Sequence, residues 1–310
     1  MRLPNESDIV NHFGTQKGRE GQADCSMGMA SIFYDVLNNI VIDSTIKPRS
    51  GSEHKCAEEH LLHAKPKDLV IYDRGYNAFW LYALHIQNKQ AFCMRAKANR
   101  DLIVKSFVAS KKKEEIITIT PNNSSIKTCK EKGISFKSIQ LRLVRVELKN
   151  EVEVLITNLK DTAKYDASLF KGLYHLRWGI EENYKRLKQW VEIENFSGKS
   201  ALSVKQDFYA KICASNLTAL MAMAAQKITE KETKNLKLKY QINFAQALSK
   251  MKHRIIQLTL QSNNDCSLLI NRTIRYISKT VEAVRDGRSN PRKLKNIKND
   301  IHFTAYKSAL

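Results

Sequence analysis

The alternation of apolar and polar residues near the N-terminus predicts a β-hairpin followed by a helix. Residues 29–36 and 40–46 alternate on either side of an Asn-Asn pair, as expected of two antiparallel strands joined by a tight turn. Residues 53–64 have a helical composition and stop before Pro66. The first part of the chain is therefore expected to mix strands with helices.

The next stretch predicts a buried strand that ends at an aspartate. Residues 69–72 are all apolar, which is typical of a strand buried on both faces of a sheet. Asp73 follows directly in the sequence Asp-Arg-Gly-Tyr, and a helix over 77–88 and a strand over 90–96 are predicted next. Asp73 is thus expected at the end of a strand in a β-α-β segment.

The rest of the chain changes periodicity twice. Residues 101–159 are rich in Val, Ile, Thr and Lys, and three alternating stretches predict a β-rich block: 116–120, 139–148 and 153–159. From about Ala167 to Val284 the pattern predicts helices, with a Lys-rich break or linker at 227–239. The apolar stretch 210–225 is interrupted by polar residues and predicts a buried helix.

These patterns predict an α/β fold in four parts. The first mixes strands and helices, the second is the β-rich block, the third is helical, and the fourth is a basic tail that is expected to be extended and solvated. The expected boundaries are 1–100, 101–160, 161–285 and 286–310.

The charge balance indicates that the binding partner is a polyanion. The chain of 310 residues has 52 Lys and Arg against 31 Asp and Glu, a formal net charge of +21. Such a surplus opposes compaction through self-repulsion and is typical of proteins that bind DNA, RNA or an anionic membrane. No run of about 18 apolar residues is present, so no segment is expected to span a bilayer. The six cysteines form no CxxC pair, which favours a reducing cytoplasm.

Four residues with phosphate or metal chemistry recur at helical spacing. On a continuous helix, Arg177, Glu181 and Lys188 would fall within about 60° of Tyr174, in a stripe about 21 Å long. A carboxylate between two cations suits a site where a metal ligand meets a phosphodiester backbone. Ion pairing on an exposed helix would give a similar spacing, and the spacing alone leaves both interpretations open.

The same residues carry a resemblance to a known family. Tyr-x2-Arg-x3-Glu-x6-Lys resembles the YREK signature of DDE transposases of bacterial insertion sequences, the family-four type. Asp73-Arg74-Gly75-Tyr76 is similar to that family's second catalytic aspartate block. Weaker similarities follow in the expected order: Glu194–Gly198, Gln206–Phe208 and the C-terminal set Arg285, Arg292 and Lys293.

The resemblance implies a fold, a cofactor and residue roles. The fold would be an RNase H-like catalytic core that is interrupted by a β-rich insertion, which residues 101–159 match in position, and followed by a helical C-terminal region. Asp73 and Glu181 would be catalytic metal ligands, and their carboxylates are expected within about 10 Å of each other around two Mg²⁺ ions, or Mn²⁺ in vitro. Tyr174, Arg177 and Lys188 would contact DNA phosphates, and Trp178 would stack on a flipped base.

The implied partners are double-stranded transposon ends and target DNA, in the cytoplasm and nucleoid of a bacterium. No membrane contact is expected. Whether the chain forms a homodimer on DNA is left open by the sequence.

One departure from the family concerns the first catalytic aspartate. An RNase H-like core begins with three strands, a helix and a fourth strand, whereas only one hairpin and one helix precede the strand that ends at Asp73. The family's first block reads Asp-Gly-Ser/Thr and then Arg-Leu-Pro, and this chain opens with Met1-Arg2-Leu3-Pro4. The first aspartate and the end-recognition domain are therefore expected upstream of Met1, as in a truncated product or a misplaced start.

Three functional classes remain open at this stage. The first is a transposase catalytic domain that does not cut DNA as given, because only two of three carboxylates are present. The second is a non-catalytic, basic DNA-binding remnant of a transposase, and the third is a peripheral membrane or ribosome-associated protein, which the ordered motifs disfavour. Asp8, Asp35 and Asp43 are possible substitutes for the first aspartate, and Asp35 could face the site from its strand.

Overall fold

The computed structural model describes residues 1–18, 24–148, 151–260, 263–285 and 306–307. They form two compact units. The first unit combines residues 1–51 with residues 181–310, and the second consists of residues 52–180.

The first unit begins with a short helix and the predicted hairpin. Its first five elements are α1 (Ser7–Phe13), β1 (Thr15–Gln16), β2 (Cys25–Ser26), β3 (Gly28–Asp35) and β4 (Ile40–Pro48). β3 and β4 pair antiparallel with a bulge at Phe33/Tyr34, which confirms the hairpin. Asn216, from a later helix, covers the outer edge of β4, because its amide both donates to and accepts from the backbone of Val41 at 2.8 Å.

The second unit is a five-stranded mixed sheet with helices. Its elements are α2 (Glu53–His60), β5 (Leu69–Tyr72), α3 (Phe79–Gln87), β6 (Ala91–Ala96), α4 (Leu102–Ser110), β7 (Glu114–Ile119), α5 (Asn123–Glu131), β8 (Ile139–Glu147), β9 (Val152–Thr157) and α6 (Leu169–His175). The strand order is β5-β6-β9-β8-β7, in which β5 and β6 are parallel and the other neighbours antiparallel. The β-α-β segment around Asp73 is as predicted.

The predicted β-rich block is more varied than its composition indicated. Its three strands, β7 to β9, continue the sheet of β5 and β6. The block also contains two helices: α4 precedes β7, and α5 lies between β7 and β8. The prediction missed these helices. Asp101 caps α4 through the Val104 N–H at 2.9 Å, and Asn122 caps α5 through the Ser125 N–H at 2.8 Å. These caps compensate for the β-branched residues that had favoured strands.

The core on one sheet face of the second unit packs against α6. Cys93, Val144 and Leu155 are fully buried beside Phe170 and Tyr174 of that helix. This packing fixes the helix that leads into the candidate functional residues.

A buried arginine ties this core to the segment that leads into α6. Arg142 on β8 is 0% exposed and donates to the carbonyls of Leu159 at 3.2 Å and Tyr165 at 2.7 Å. It also pairs with Glu114 of β7.

The first unit resumes within α7 and is mainly helical thereafter, with one pair of short strands. Its elements are α7 (Trp178–Gln189), α8 (Ala201–Glu232), β10 (Lys239–Ile242), α9 (Phe244–Leu260), α10 (Asn263–Ser278) and β11 (Val281–Val284). A capping box at Ser200 and Ser203 starts α8. The Lys-rich break predicted at 227–239 is wrong in its first part, because α8 continues to Glu232. Lys is a good helix former, and it continues the helix at these exposed positions.

α8 is long and apolar enough to cross a membrane by length and composition alone. Its buried residues pack in two cores, however. Phe208 and Ile212 lie beside α1 and β4 in one, and Ala225 lies beside α9 and α10 in the other. The same pattern is found in the core helix of a globular protein, which agrees with the prediction for 210–225.

The predicted basic tail falls almost wholly outside the described residues, including Arg288, Arg292 and Lys293. Its two described residues bond to the first unit. Tyr306 donates its hydroxyl to Glu6 at 2.8 Å, and the Lys307 ammonium lies 3.0 Å from Asp207.

Candidate active site

Asp73 lies at the carboxyl end of β5, where a single 3-10 turn begins. Its carboxylate Oδ1 accepts a hydrogen bond from the Gly75 N–H at 2.6 Å, so the aspartate caps its own turn. A Cβ atom added to Gly75 would lie 3.0 Å from that oxygen, which explains why glycine suits this position. The side chain is exposed.

The strand that leads to Asp73 is anchored by a buried pair. The Tyr72 hydroxyl lies 3.0 Å from His85 Nε2 of α3, and the two rings meet edge to face. Burial raises the pKa of Tyr72 and lowers the pKa of His85 to about 4. Both groups therefore stay neutral near pH 7, and they fix the end of β5 without adding charge next to Asp73.

Asn77 holds the turn after Asp73 against the neighbouring strand. Its amide donates to the carbonyl of Arg74 at 3.1 Å and to the carbonyl of Arg95, on β6, at 2.5 Å. Its oxygen accepts from the hydroxyl of Tyr82 at 2.7 Å, and Arg100 donates to that hydroxyl at 3.0 Å. The turn is thus tied to both β6 and α3.

The sheet register brings further charged residues to Asp73. Tyr72 pairs with Met94, so Asp73 follows at the level of Arg95 on β6. Arg95 forms an ion pair with Glu153 of β9 at 2.8 Å, and Glu153 is 11% exposed. The sequence analysis did not select Arg95 or Glu153, because only long-range strand pairing places them here.

Tyr174 of α6 belongs to the same corner of the second unit. Burial raises its pKa to about 12, with a smaller lowering by Arg177 and a raising effect of Glu153 and Asp73. Tyr174 packs in the same core as Leu69 and Ile71 of β5, the strand that ends at Asp73. Its hydroxyl therefore stays neutral near pH 7 and can donate a hydrogen bond.

The helix that was predicted to carry all four signature residues is broken. α6 ends at His175 and α7 begins at Trp178. Between them, Arg177 N–H bonds to the Tyr174 carbonyl and Ile180 N–H to the Arg177 carbonyl, so the bonds span three residues instead of four. Gly172 and Gly179 on either side have low helix propensity and allow this tighter turn. The prediction of one continuous helical stripe from Tyr174 to Lys188 is therefore wrong.

Arg177 lies within this turn, between two aromatic rings. Its guanidinium carbon is 5.0 Å from the centroid of Trp178 and 5.7 Å from that of Tyr174. The Trp178 side chain is 41% exposed. The two contacts hold the planar cation in place beside a partly exposed indole.

Glu181 and Lys188 share one face of α7. They are seven residues apart, which corresponds to two turns and about 10.5 Å along the axis. Lys188 is 54% exposed and lies 3.7 Å from Glu194. Glu194 also accepts the Arg2 N–H at 3.0 Å. Glu181 and Lys188 thus keep the predicted relation, but Lys188 already has a carboxylate partner.

Asp73 and Glu181 belong to different compact units, in which each has its own local support. The convergence of the two carboxylates stays a prediction.

The described residues do not complete a two-metal site. Asp73 offers the hard oxygen ligand that Mg²⁺ prefers. Within the described ranges, however, no group of three or more His, Cys, Asp or Glu side chains is arranged to hold a metal ion.

The three aspartates considered as substitutes all have structural hydrogen bonds. Asp8 accepts from the Ala201 N–H at 2.7 Å, at the start of α8. Asp35 accepts from the backbone of Leu37 at 2.9 Å and from both the backbone and side chain of Asn38 in the hairpin turn. Asp43 accepts from its neighbour's N–H at 2.8 Å. Each of these carboxylates thus has a local structural role, as Asp73 has in its own turn.

Comparison with known proteins identifies the family. A search of the curated proteins finds no match to this chain. The family described as "Transposase DDE domain" matches residues 7–217, more than half of the chain and a range that includes both Asp73 and Glu181. Membership implies a nuclease-type enzyme that acts on DNA, and the mixed α/β architecture agrees with it. The chain belongs to the transposase DDE domain family.

Proposed function

We propose that the chain is the catalytic part of an insertion-sequence transposase of the YREK type, with an RNase H-like core. Its reaction would be metal-dependent DNA strand cleavage and strand transfer, in a bacterial cytoplasm and nucleoid. The observation that carries the proposal is the match over 7–217 together with Asp73 at the end of a buried strand. Asp73 and Glu181 would be two of its carboxylate ligands.

The DNA-binding residues would be Tyr174, Arg177, Trp178 and Lys188. The support for Arg177 and Trp178 is their mutual packing, since a held guanidinium can bind a phosphate in a fixed orientation and the exposed indole can stack on a base. The support for Lys188 is its exposure on the face of α7 that carries Glu181. A homodimer on DNA fits this class of enzyme and stays a proposal.

We propose that a third carboxylate completes this site and that the chain is inactive without it. Mg²⁺, replaceable by Mn²⁺ in vitro, would be the ion of the completed site.

The edge of β3 opposite to β4 is a position from which a third carboxylate could be supplied. Met1 and Gly28 exchange two backbone hydrogen bonds of 3.0 Å, so Met1 lies on the edge of β3 opposite to β4. Since backbone groups alternate along a strand, those of Ala30 and Ile32 point to the same side. Polypeptide preceding Met1 would run antiparallel along these residues. That is a suitable position for a strand with the Asp-Gly-Ser/Thr block.

The second candidate function is a non-catalytic DNA-binding remnant. The observation that favours it is the lack of a three-carboxylate group among the described residues, together with the net charge of +21. In this case DNA would bind without being cut, and restoring a strand would not restore activity.

Strand nicking of a transposon-end duplex with Mg²⁺ or Mn²⁺ distinguishes these functions. The chain as given would be compared with one extended upstream by an Asp-Gly-Ser/Thr strand. We expect nicking only from the extended chain, and its loss on Asp73→Asn or Glu181→Gln. If the short chain nicks as fast, a third upstream carboxylate is not required. If neither nicks but both bind DNA, the remnant function holds.

Salt-dependent DNA binding tests the contact residues. Phosphate contacts release counterions, so affinity should fall steeply between about 50 and 200 mM salt. Arg177→Ala and Lys188→Ala should each weaken binding and lower the slope by about one. Lys227→Ala, an exposed cation on α8, is the control. Equal effects of all three variants would contradict a specific role for Arg177 and Lys188.

A further inference from the structure

The last three helices build a small core that lies beyond the family match. Ala225 of α8, Ala247 and Met251 of α9, and Ile277 of α10 are buried together with Ile242 of β10. The match to the DDE domain ends at residue 217. This part of the first unit therefore has its own packing and lies outside the segment that identifies the catalytic domain.

The helix α10 presents one side to this core. Leu269, Thr273 and Ile277 recur every four residues and are 8%, 1% and 0% exposed. The Thr273 hydroxyl donates to the Leu269 carbonyl at 2.7 Å, so this polar residue is satisfied within the helix. The orientation of α10 is fixed by these three residues, and the opposite side faces solvent.

The solvent side of α10 is rich in cations and amide or aromatic groups. Its exposed residues form two ridges of spacing four: Ser267, Asn271 and Arg275 in one, and Leu268, Arg272 and Tyr276 in the other. Lys279 follows directly after the helix end and is also exposed. The helix has one acid, Asp265 in its first turn. Solvated helices commonly pair cations with acids three or four residues away. Within the described part of the chain, Arg272 and Arg275 form no ion pair.

Tyr276 is held at this surface by a neighbouring lysine. Lys250 of α9 lies 3.9 Å from the centroid of the Tyr276 ring and donates to the Tyr276 carbonyl at 2.7 Å. It also lies 3.3 Å from the Thr280 hydroxyl. The ring is 55% exposed. A fixed and exposed aromatic ring therefore lies beside the cations of this surface.

The side chains of this face match the edges of base pairs. Arginine binds the O6 and N7 atoms of guanine with two hydrogen bonds, and asparagine does the same with N6 and N7 of adenine. From residue 267 to residue 279 the face is about 18 Å long, which spans roughly five base pairs at 3.4 Å each. The major groove, about 12 Å wide, admits one α-helix. Leu268 is the single large aliphatic side chain on this exposed face of α10. The face therefore lacks the apolar stripe that packing against a partner helix would need.

We infer that α10 is a DNA-recognition helix that reads base pairs in the major groove through Asn271, Arg272 and Arg275. The inference rests on the proposed function in taking DNA as the partner, and it adds sequence recognition outside the catalytic domain. Lys279 contacts a phosphate at one end of the face.

The test uses the full chain and a randomised duplex pool. Duplexes enriched by the chain would be compared with the bulk pool, and the ratio of the two affinities measures specificity. We expect a ratio of at least 100. Arg272→Ala and Arg275→Ala should each lower it about 10-fold or more, because each removes a base contact. Lys252→Ala, an exposed cation on α9, should weaken both affinities equally and leave the ratio unchanged.

A conservative variant separates base recognition from charge. Arg275→Lys keeps the charge and loses the two-pronged guanidinium, so it should lower the ratio without changing the salt dependence. Methylation of guanine N7 in the enriched duplex should reduce binding of the parent chain and not of the Arg272→Ala/Arg275→Ala variant.

The outcomes distinguish this inference from the proposed function. DNA binding with no enriched sequence, or with a ratio that the α10 variants leave unchanged, overturns the recognition helix and keeps the catalytic proposal. No DNA binding by the parent chain overturns both. Enrichment that depends on Asn271, Arg272 and Arg275 supports the helix whether or not the chain cuts DNA.

Discussion

Removal of the Asn77 side chain should loosen the turn that carries Asp73. Asn77→Ala deletes two hydrogen bonds to the carbonyls of Arg74 and Arg95 and one from the buried Tyr82. At about 1 kcal/mol each, these bonds give a loss of about 3 kcal/mol in the free energy of unfolding. The loss is a large fraction of the roughly 5–15 kcal/mol that stabilises a domain.

Urea unfolding followed by circular dichroism measures this loss. At about 2–4 °C per kcal/mol, the melting temperature should fall by about 6–12 °C. Asn77→Asp keeps the oxygen that accepts from Tyr82 and loses both donors, so its loss should be about 2 kcal/mol or more. Asn88→Ala, at the exposed C-cap of α3, the helix that follows Asn77, is the matched control and should cost less than about 0.5 kcal/mol. If Asn77→Ala costs no more than Asn88→Ala, the turn is held by other contacts and this reasoning is wrong.

Two further changes test the core of the second unit. Arg142→Met leaves Glu114 and two carbonyls without their cation. In urea titrations it should lower the free energy of unfolding by about 3–5 kcal/mol. A double variant with Glu114→Gln should recover part of this loss. Burial lowers the pKa of His85 from 6.5 to about 4. Between these pH values the unfolded state therefore binds more protons than the folded state does. The free energy of unfolding should fall by about 3 kcal/mol as the pH decreases through this range. His85→Gln should remove this part of the pH dependence, and an unchanged slope would contradict a neutral, buried imidazole.

The sequence predicted elements whose signals are local. The hairpin, β5 and α3 were found because alternation, an apolar run and a helical composition each act within a few residues. α4 was missed because its Leu-Ile-Val start favours a strand, and the cap at Asp101 was not recognised. A cap signal of this kind is readable from sequence, so this failure was avoidable.

The break between α6 and α7 had a weaker signal. Gly172 and Gly179 reduce helix propensity, but each alone is tolerated inside a helix. What fixes the break is the burial of Phe170 and Tyr174 against the sheet on one side, and of Leu187 in the other unit's core on the other side. Tertiary packing of this kind is outside the reach of a periodicity argument.

Arg95 and Glu153 could not be found from sequence. They lie 58 residues apart and become partners only because β6 and β9 pair antiparallel, with Arg95 opposite Leu155. The sequence around Asp73 indicates its role through an apolar strand and the turn at Gly75, which are local features. It carries no information about the charged neighbours that the sheet register supplies.

Glu194 should compete with DNA for Lys188. The two side chains are 3.7 Å apart and partly exposed, and such pairs are worth about 0.2–1 kcal/mol, so a phosphate can replace the carboxylate. Glu194→Gln keeps an oxygen for the Arg2 N–H and removes the competing charge. We expect DNA to bind about 1.4- to 5-fold more tightly at about 50 mM salt, as that energy implies.

The general gain of one positive charge must be separated from this local effect. Glu192→Gln, on the same loop, adds the same charge, and its side chain is 3.5 Å from Asn195. It should change affinity less than Glu194→Gln does. In a Lys188→Ala background the advantage of Glu194→Gln over Glu192→Gln should disappear, because the cation that it releases is gone. If the advantage persists without Lys188, then Lys188 does not bind the DNA backbone, and Glu194 acts on DNA through another group.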